Sequence, residues 1–176
     1  MPKVIHKGQV VADNWQVFRL PEGADAATAA IPTGQVIVPF PVWQVRREEL
    51  LASADAVGVW LAGSDDPAAL ADDLHALALV AVDFPKFTDG RGYSIAVALR
   101  TRFGYTGPLR AIGQVLRDQF NYLSRSGFDT LAPAEGRYTD AQLEAAVASL
   151  ADFTDPYQAS VIHPQPLFRR HSRAAA

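Results

Sequence analysis

The chain has no cysteine among its 176 residues. That excludes disulfides, thiolate metal sites, cysteine-ligated iron–sulfur clusters and cysteine nucleophiles. It has no apolar run near the ~20 residues of a membrane span. The opening Met1-Pro2-Lys3-Val4 lacks the apolar core of a signal peptide, so a cytoplasmic location away from membranes is expected. Positive charge is not in excess: the formal net charge is −3, which leaves no global footprint for nucleic acid. No G-x-S-x-G elbow anchors a hydrolase triad. No Walker or dinucleotide fingerprint is present. His6, His75, His163 and His171 share no metal-ligand spacing, so neither a metal centre nor a cofactor is expected.

What is present is ordinary globular material. Hydrophobic residues make up 49% and charged residues 20%, against wholesale disorder. The length fits about one domain. Charge is uneven along it. Residues 1–155 hold 13 basic and all 19 acidic residues, a balance of −6. The segment 156–176 has three prolines, Arg169, Arg170 and Arg173, and no acid. It reads as an extended basic tail after a single α/β domain of residues 1–155. Tyr157, Phe168 and the arginines would suit interface anchoring; a solubilising end is the other reading.

Within the body, residues 9–20 hold two β-prone runs flanking Asp13-Asn14, which suits an N-terminal hairpin. Residues 21–34 read as a loop. From residue 35, strands and helices alternate. Strands are expected at 36–38, 57–61, 79–82, 109–113 and 128–131. Helices are expected at 42–53, after the Asp66-Pro67 cap with Leu70, Leu74 and Leu77 inward, at 92–103, at 117–126, and after the Thr139/Gln142 capping box. Trp15, Trp43 and Trp60 read as packing residues. This alternation means βαβ units and a mainly parallel sheet. Two architectures remain open: a partial TIM-like barrel or an open three-layer sandwich. In both, function sits at the C-terminal ends of the strands, which selects residues 83–92, 113–118 and 132–139.

Asp83 to Gly92 follows an apolar strand and opens a helix. Free N–H groups at a helix start attract anions, and glycine lets backbone approach a ligand closely. Lys86 and Arg91, with Gly90, Gly92 and Arg117, make a candidate anion site. Asp83 and Asp118 are the candidate acid/base groups. The competing readings are a capped helix start with Asp89 or Thr88 as the cap, a buried Asp83 anchoring its loop, and a local Arg117–Asp118 ion pair.

Val82 to Leu131 carries a resemblance. The run Val-Asp-Phe-Pro-Lys-Phe-Thr-Asp-Gly-Arg-Gly-Tyr-Ser, then Leu-Arg-Thr-Arg-Phe-Gly-Tyr-Thr-Gly, Val-Leu-Arg-Asp-Gln and Gly-Phe-Asp resembles the bacterial domain-of-unknown-function family 934. Gly58-Val59-Trp60-Leu61 and Tyr157-Gln158 extend the likeness; residues 1–35 carry least of it. The resemblance implies a place beside assimilatory sulfite reductase, under the label of a sulfite-reduction oxidoreductase. A chain without cysteine cannot hold the iron–sulfur partner of siroheme through thiolates, nor act as a thiol reductase. The resemblance therefore implies a non-catalytic partner of sulfite reductase or of another sulfur-assimilation protein. A small α/β enzyme for a phosphate-, sulfate- or carboxylate-bearing metabolite at residues 83–92 is the alternative. Unclosed sheet edges also admit a homo-oligomer.

Overall fold

A computed structural model describes residues 2–53, 55–152 and 156–170. Eight strands form one sheet: β1 (Lys3–His6), β2 (Gln9–Ala12), β3 (Gln16–Val17), β4 (Val36–Pro39), β5 (Val57–Leu61), β6 (Leu79–Phe84), β7 (Leu109–Gly113) and β8 (Thr130–Leu131). Their spatial order is β2-β1-β8-β7-β6-β5-β4-β3. From β3 to β8 every neighbouring pair is parallel and the order never reverses. A doubly wound sandwich needs a reversal to put helices on both faces. Right-handed crossovers running one way put them all on one face. The architecture is therefore a curled half-barrel, and the open sandwich is set aside.

Side-chain alternation along the strands agrees with this. Val36, Val38, Val57, Val59, Leu61, Val80, Val82 and Phe84 point to the helical side and fill the larger core. Ile37, Leu79, Ala81, Ile112 and Ala132 point the other way, into a smaller cluster that Trp15, Val17 and Trp60 pack against. The sheet is buried on its convex face by helices and only partly covered on its concave face.

The helices are α1 (Phe40–Ala52), α2 (Arg91–Thr101), α3 (Phe120–Arg125), α4 (Asp140–Ala148) and α5 (Leu167–Arg170). Pro41 lies in the first turn of α1, where its ring holds φ near the helical value, and the extended Pro39 precedes the helix. Asp66 does cap its helix, accepting from the Ala68 N–H, and Leu70, Leu74 and Leu77 are buried. That segment, Pro67–Asp73, is 3₁₀ rather than α, as is Arg117–Gln119 before α3. The Thr139/Gln142 capping box opens α4 as expected.

The N-terminal hairpin forms between β1 and β2, with its turn at Lys7-Gly8 rather than Asp13-Asn14. Both turn residues take positive φ (48° and 75°), the backbone that a two-residue hairpin requires. Asp13-Asn14 instead releases the chain from one sheet edge. It crosses the concave face and pairs as β3 beside β4, at the opposite edge. The described part of the tail carries the short helix α5; Arg173 lies outside the described residues. No helix among the described residues is long and apolar enough to cross a membrane.

Candidate functional site

Residues 13–19 form a strap over the concave face, and two ion pairs of opposite polarity hold its ends. At the start, Arg110 on β7 donates from Nη1 to Asp13 Oδ1 at 2.8 Å and from Nη2 to Oδ2. Arg110 and Asp13 are only 4% and 8% exposed. At the end, Arg19 donates from Nη2 to Asp83 Oδ1 at 2.7 Å and from Nη1 to Oδ2 at 3.0 Å. Asp83 on β6 is buried, whereas about half of the Arg19 side chain reaches solvent. The Asp83 hydrogen bonds hold the Arg19 guanidinium above its usual pKa. Trp60 completes the fastening: its indole N–H donates to the Phe18 carbonyl at 2.9 Å, and Arg19 lies 5.3 Å over its ring.

Beside the strap lies a hollow of about 910 Å³. It runs along the concave face past Arg110 and Ile112 to Gln114 and Ala132–Gly136 at the C-terminal ends of β7 and β8. A smaller hollow of about 240 Å³ lies past Arg110 and Asp13, toward Leu79 and Pro108 at the strands' N-terminal ends. Gly113 shapes the mouth. Its φ is +92°, and a Cβ there would stand 2.5 Å from the Phe84 carbonyl oxygen and 2.6 Å from Asp83 Oδ1. Only glycine fits between these groups.

The residues singled out by sequence fall on two surfaces. Asp83 faces the concave side with both carboxylate oxygens engaged by Arg19. Lys86, Gly90 and Arg91 lie exposed at the C-terminal rim. Arg117 and Asp118 are exposed beside them, because Gln119 Nε2 donates to the Phe87 carbonyl at 3.0 Å and stitches the two segments together. Arg117 and Asp118 also line a separate hollow of about 660 Å³ with Asn121, Arg137 and Tyr138.

Within the 83–92 loop the opening of α2 is occupied by the chain's own carboxylate. Asp89 accepts from the Arg91 backbone N–H at 3.2 Å, its Nε at 2.9 Å and its Nη2 at 2.7 Å. Those bonds hold the Asp89 carboxyl down at about 2. Gly92 packs rather than binds: a Cβ there would stand 2.7 Å from the Phe84 ring. Gly90 has open space at its Cβ position. Lys86 is exposed and makes no carboxylate contact among the described residues.

Sequence reasoning missed Asp13, Arg19 and Arg110. Arg110 carried a readable signal, a lone cation inside Leu109-Arg110-Ala111-Ile112. In a buried strand such a charge demands a partner. Nothing local said that the partner lay 97 residues earlier.

At the opposite end of the sheet, His6 Nδ1 lies 2.8 Å from Thr130 Oγ1, and Thr130 donates to Asp129 Oδ1 at 2.9 Å. Hydroxyl, imidazole and carboxylate meet there, but not as a relay. The same Nδ1 faces both Thr130 and Asp129, and Asp129 also takes Arg100 and the Leu109 N–H. A nucleophile needs its base on one imidazole nitrogen and its orienting acid on the other. This cluster ties β1 to β8. Among the described residues no group of three or more His, Asp or Glu could hold a metal ion.

The family model for a bacterial protein of unknown function, DUF934, matches residues 58–168. The chain belongs to the DUF934 family. The matched DUF934 region contains Asp83, Arg110 and the rim segments; it begins after the strap that carries Asp13 and Arg19. No curated protein matches the chain.

Proposed function

We propose that this DUF934 protein is a cytoplasmic, non-catalytic accessory of assimilatory sulfate and sulfite reduction. Its partner is sulfite reductase or another protein of that pathway, engaged through the C-terminal arm. The pathway comes from the family resemblance; the arm supports the docking. Tyr157, Ile162 and Phe168 are 64%, 53% and 62% exposed. The Arg169 guanidinium sits 5.9 Å over the Phe168 ring. Exposed aromatics beside arginine are the residues that anchor interfaces. The arm leaves from a buried Pro156 and is tied back by the Val161 N–H donating to the Arg125 carbonyl. It therefore presents these side chains from a fixed base. With Arg173 and no acid beyond Asp155, it fits an acidic partner surface.

The test is a tagged pull-down from the native host grown on sulfate, read by mass spectrometry and visible absorption. The full chain should co-elute with a siroheme-absorbing reductase. Deleting residues 156–176 should abolish that. Undiminished capture by the truncated chain would overturn the role of the arm.

A second reading rests on the exposed Lys86, which has no carboxylate partner among the described residues, and on the bond that joins the 83–92 loop to the 117–119 turn. It is a small α/β enzyme for a phosphate-, sulfate- or carboxylate-bearing metabolite. Lys86, Gly90, Arg91 and Arg117 would hold the anion, with Asp118 as acid/base, since Gly92 is packed against Phe84 and Asp83 is held by Arg19 on the other surface. Such an anion should raise the melting temperature, since it binds only the folded state. An equal response from Arg91→Ala would remove this reading.

A further inference from the structure

Arg117 and Arg137 stand apart from the other arginines. Among the described residues, every other arginine side chain has a partner. Six hold a carboxylate. Three more lie over an aromatic ring, and Arg170 donates to the Pro156 carbonyl. The guanidinium groups of Arg117 and Arg137 have no partner of either kind among the described residues, and the local Arg117–Asp118 ion pair does not form. Yet these two arginines, twenty positions apart in the chain, line the same hollow of about 660 Å³.

Their backbones are fixed while their side chains are not. The Arg117 backbone N–H donates to the Tyr138 hydroxyl at 3.0 Å, which ties one segment to the residue after Arg137. The Tyr138 ring is held in turn by Phe120, edge-on at 6.3 Å. Two positive charges therefore line one hollow against the single acid Asp118. Like charges repel, and an anion between them turns that repulsion into attraction. Each guanidinium offers a planar fork of N–H donors that matches phosphate oxygens two at a time. The rest of the wall is mixed: Leu116, Leu150 and the Tyr138 ring are apolar, and Asn121 adds an amide. The volume falls within the range of small-molecule sites, which combine apolar walls with a few placed polar groups.

We propose that this hollow binds a small phosphate monoester with a hydroxylated carbon skeleton. Such a group carries about two negative charges at neutral pH and has oxygens enough for two guanidinium forks. Arg117 and Arg137 grip the phosphate. Leu116, Leu150 and the Tyr138 ring take the carbon skeleton, and Asp118 and Asn121 meet its hydroxyl groups. The site shares Arg117 and Asp118 with the rim reading but goes beyond it. It uses neither Lys86 nor Gly90 nor Arg91, whose fork Asp89 already occupies. It stands if the rim reading fails.

The experiment is a calorimetric titration of the full chain with glycerol 3-phosphate at low ionic strength. One equivalent should bind with a dissociation constant of ~1 mM or tighter. Inorganic phosphate should bind more weakly, because it leaves the skeleton wall unfilled. Arg117→Ala and Arg137→Ala should each weaken the ester by about tenfold or more, the worth of a charge-assisted hydrogen bond. Both side chains are exposed and without a partner among the described residues, so these variants should melt like the parent. Arg91→Ala should bind as the parent does. No binding of the ester at ~10 mM overturns the proposal. So does unchanged binding in Arg137→Ala. Equal affinity for inorganic phosphate would reduce the hollow to an anion patch and overturn the ester class. Lost binding in Arg91→Ala would place the anion at the rim, which overturns this site and supports the rim reading.

Discussion

The Asp13–Arg110 pair should dominate the energetics of the concave face. Both groups are more than nine-tenths buried, and they join the strap to β7 across 97 residues. In Asp13→Ala the guanidinium keeps its charge, since arginine does not lose its proton in proteins. It then stays buried with no counter-ion. Breaking one side of such a pair costs about 3–5 kcal/mol. A domain of this kind holds only about 5–15 kcal/mol in all. Urea unfolding should therefore move its midpoint down by about 2 M for a slope near 2 kcal/mol/M. The double variant Asp13→Leu/Arg110→Met removes both charges and keeps apolar volume. It should recover to within about 1 kcal/mol of the parent, because the desolvation of two ions disappears with their attraction. A single-variant loss under about 1 kcal/mol would show that water reaches the pair. A double variant as unstable as the single would show that the strap is held by this specific bond rather than by the avoidance of a naked charge.

Two further outcomes follow from the mouth and the rim. Gly113→Ala should cost about 2 kcal/mol or more, since its φ is +92° and its new Cβ would meet the Phe84 carbonyl at 2.5 Å. Gly90→Ala should fall within about 1 kcal/mol of the parent, at a φ of −83° with open space around it. Thermal or urea unfolding compares the two, and equal losses would sink the assignment of Gly113 as a steric requirement. At the rim, the Asp89 carboxyl should titrate at about 2 in a ¹³C NMR titration and return toward 3.8 in Arg91→Ala. Because its folded pKa is depressed, this contact stabilises fully above the unfolded value, and the stabilisation fades as pH falls through about 2. A carboxyl titrating near 3.8 in both proteins would remove the contact in solution.

Most of the scaffold was legible because its causes are local. Apolar runs bounded by turns marked β4 to β8, Asp66-Pro67 and Thr139/Gln142 marked helix starts, and the stripe of Leu70, Leu74 and Leu77 marked a buried face. The alternation of elements was enough for a mainly parallel sheet. It was not enough to choose a half-barrel over a sandwich, because that choice depends on strand order, a set of pairings between residues far apart in the chain. The same limit hid the strap. Gln16-Val17 reads equally well as the second arm of a local hairpin. Its partner, Val36-Ile37, was itself read as a strand, but nothing in either run names the other. At the rim, the Asp89-Gly90-Arg91 spacing held both an anion cradle and its internal substitute. Deciding which carboxylate the Arg91 fork meets required the turn geometry of the loop.

The half-barrel itself explains why charges occur on an inner sheet face. A closed barrel fills its interior with layers of apolar side chains from all its strands. Here the six parallel strands have no opposite wall, so side chains on the concave face meet water unless something covers them. A wholly apolar concave face would be an exposed patch of the kind that drives association. A wholly polar one would leave the strap nothing to pack against. The sheet does both in rows. Ile37, Leu79, Ala81 and Ile112 receive Trp15 and Val17, while Asp83 and Arg110 receive Arg19 and Asp13. Opposite polarity at the two ends also fixes direction: a strap laid the other way would place Asp13 against Asp83 and Arg19 against Arg110. Apolar burial attracts the segment without regard to orientation, so the charges supply the orientation.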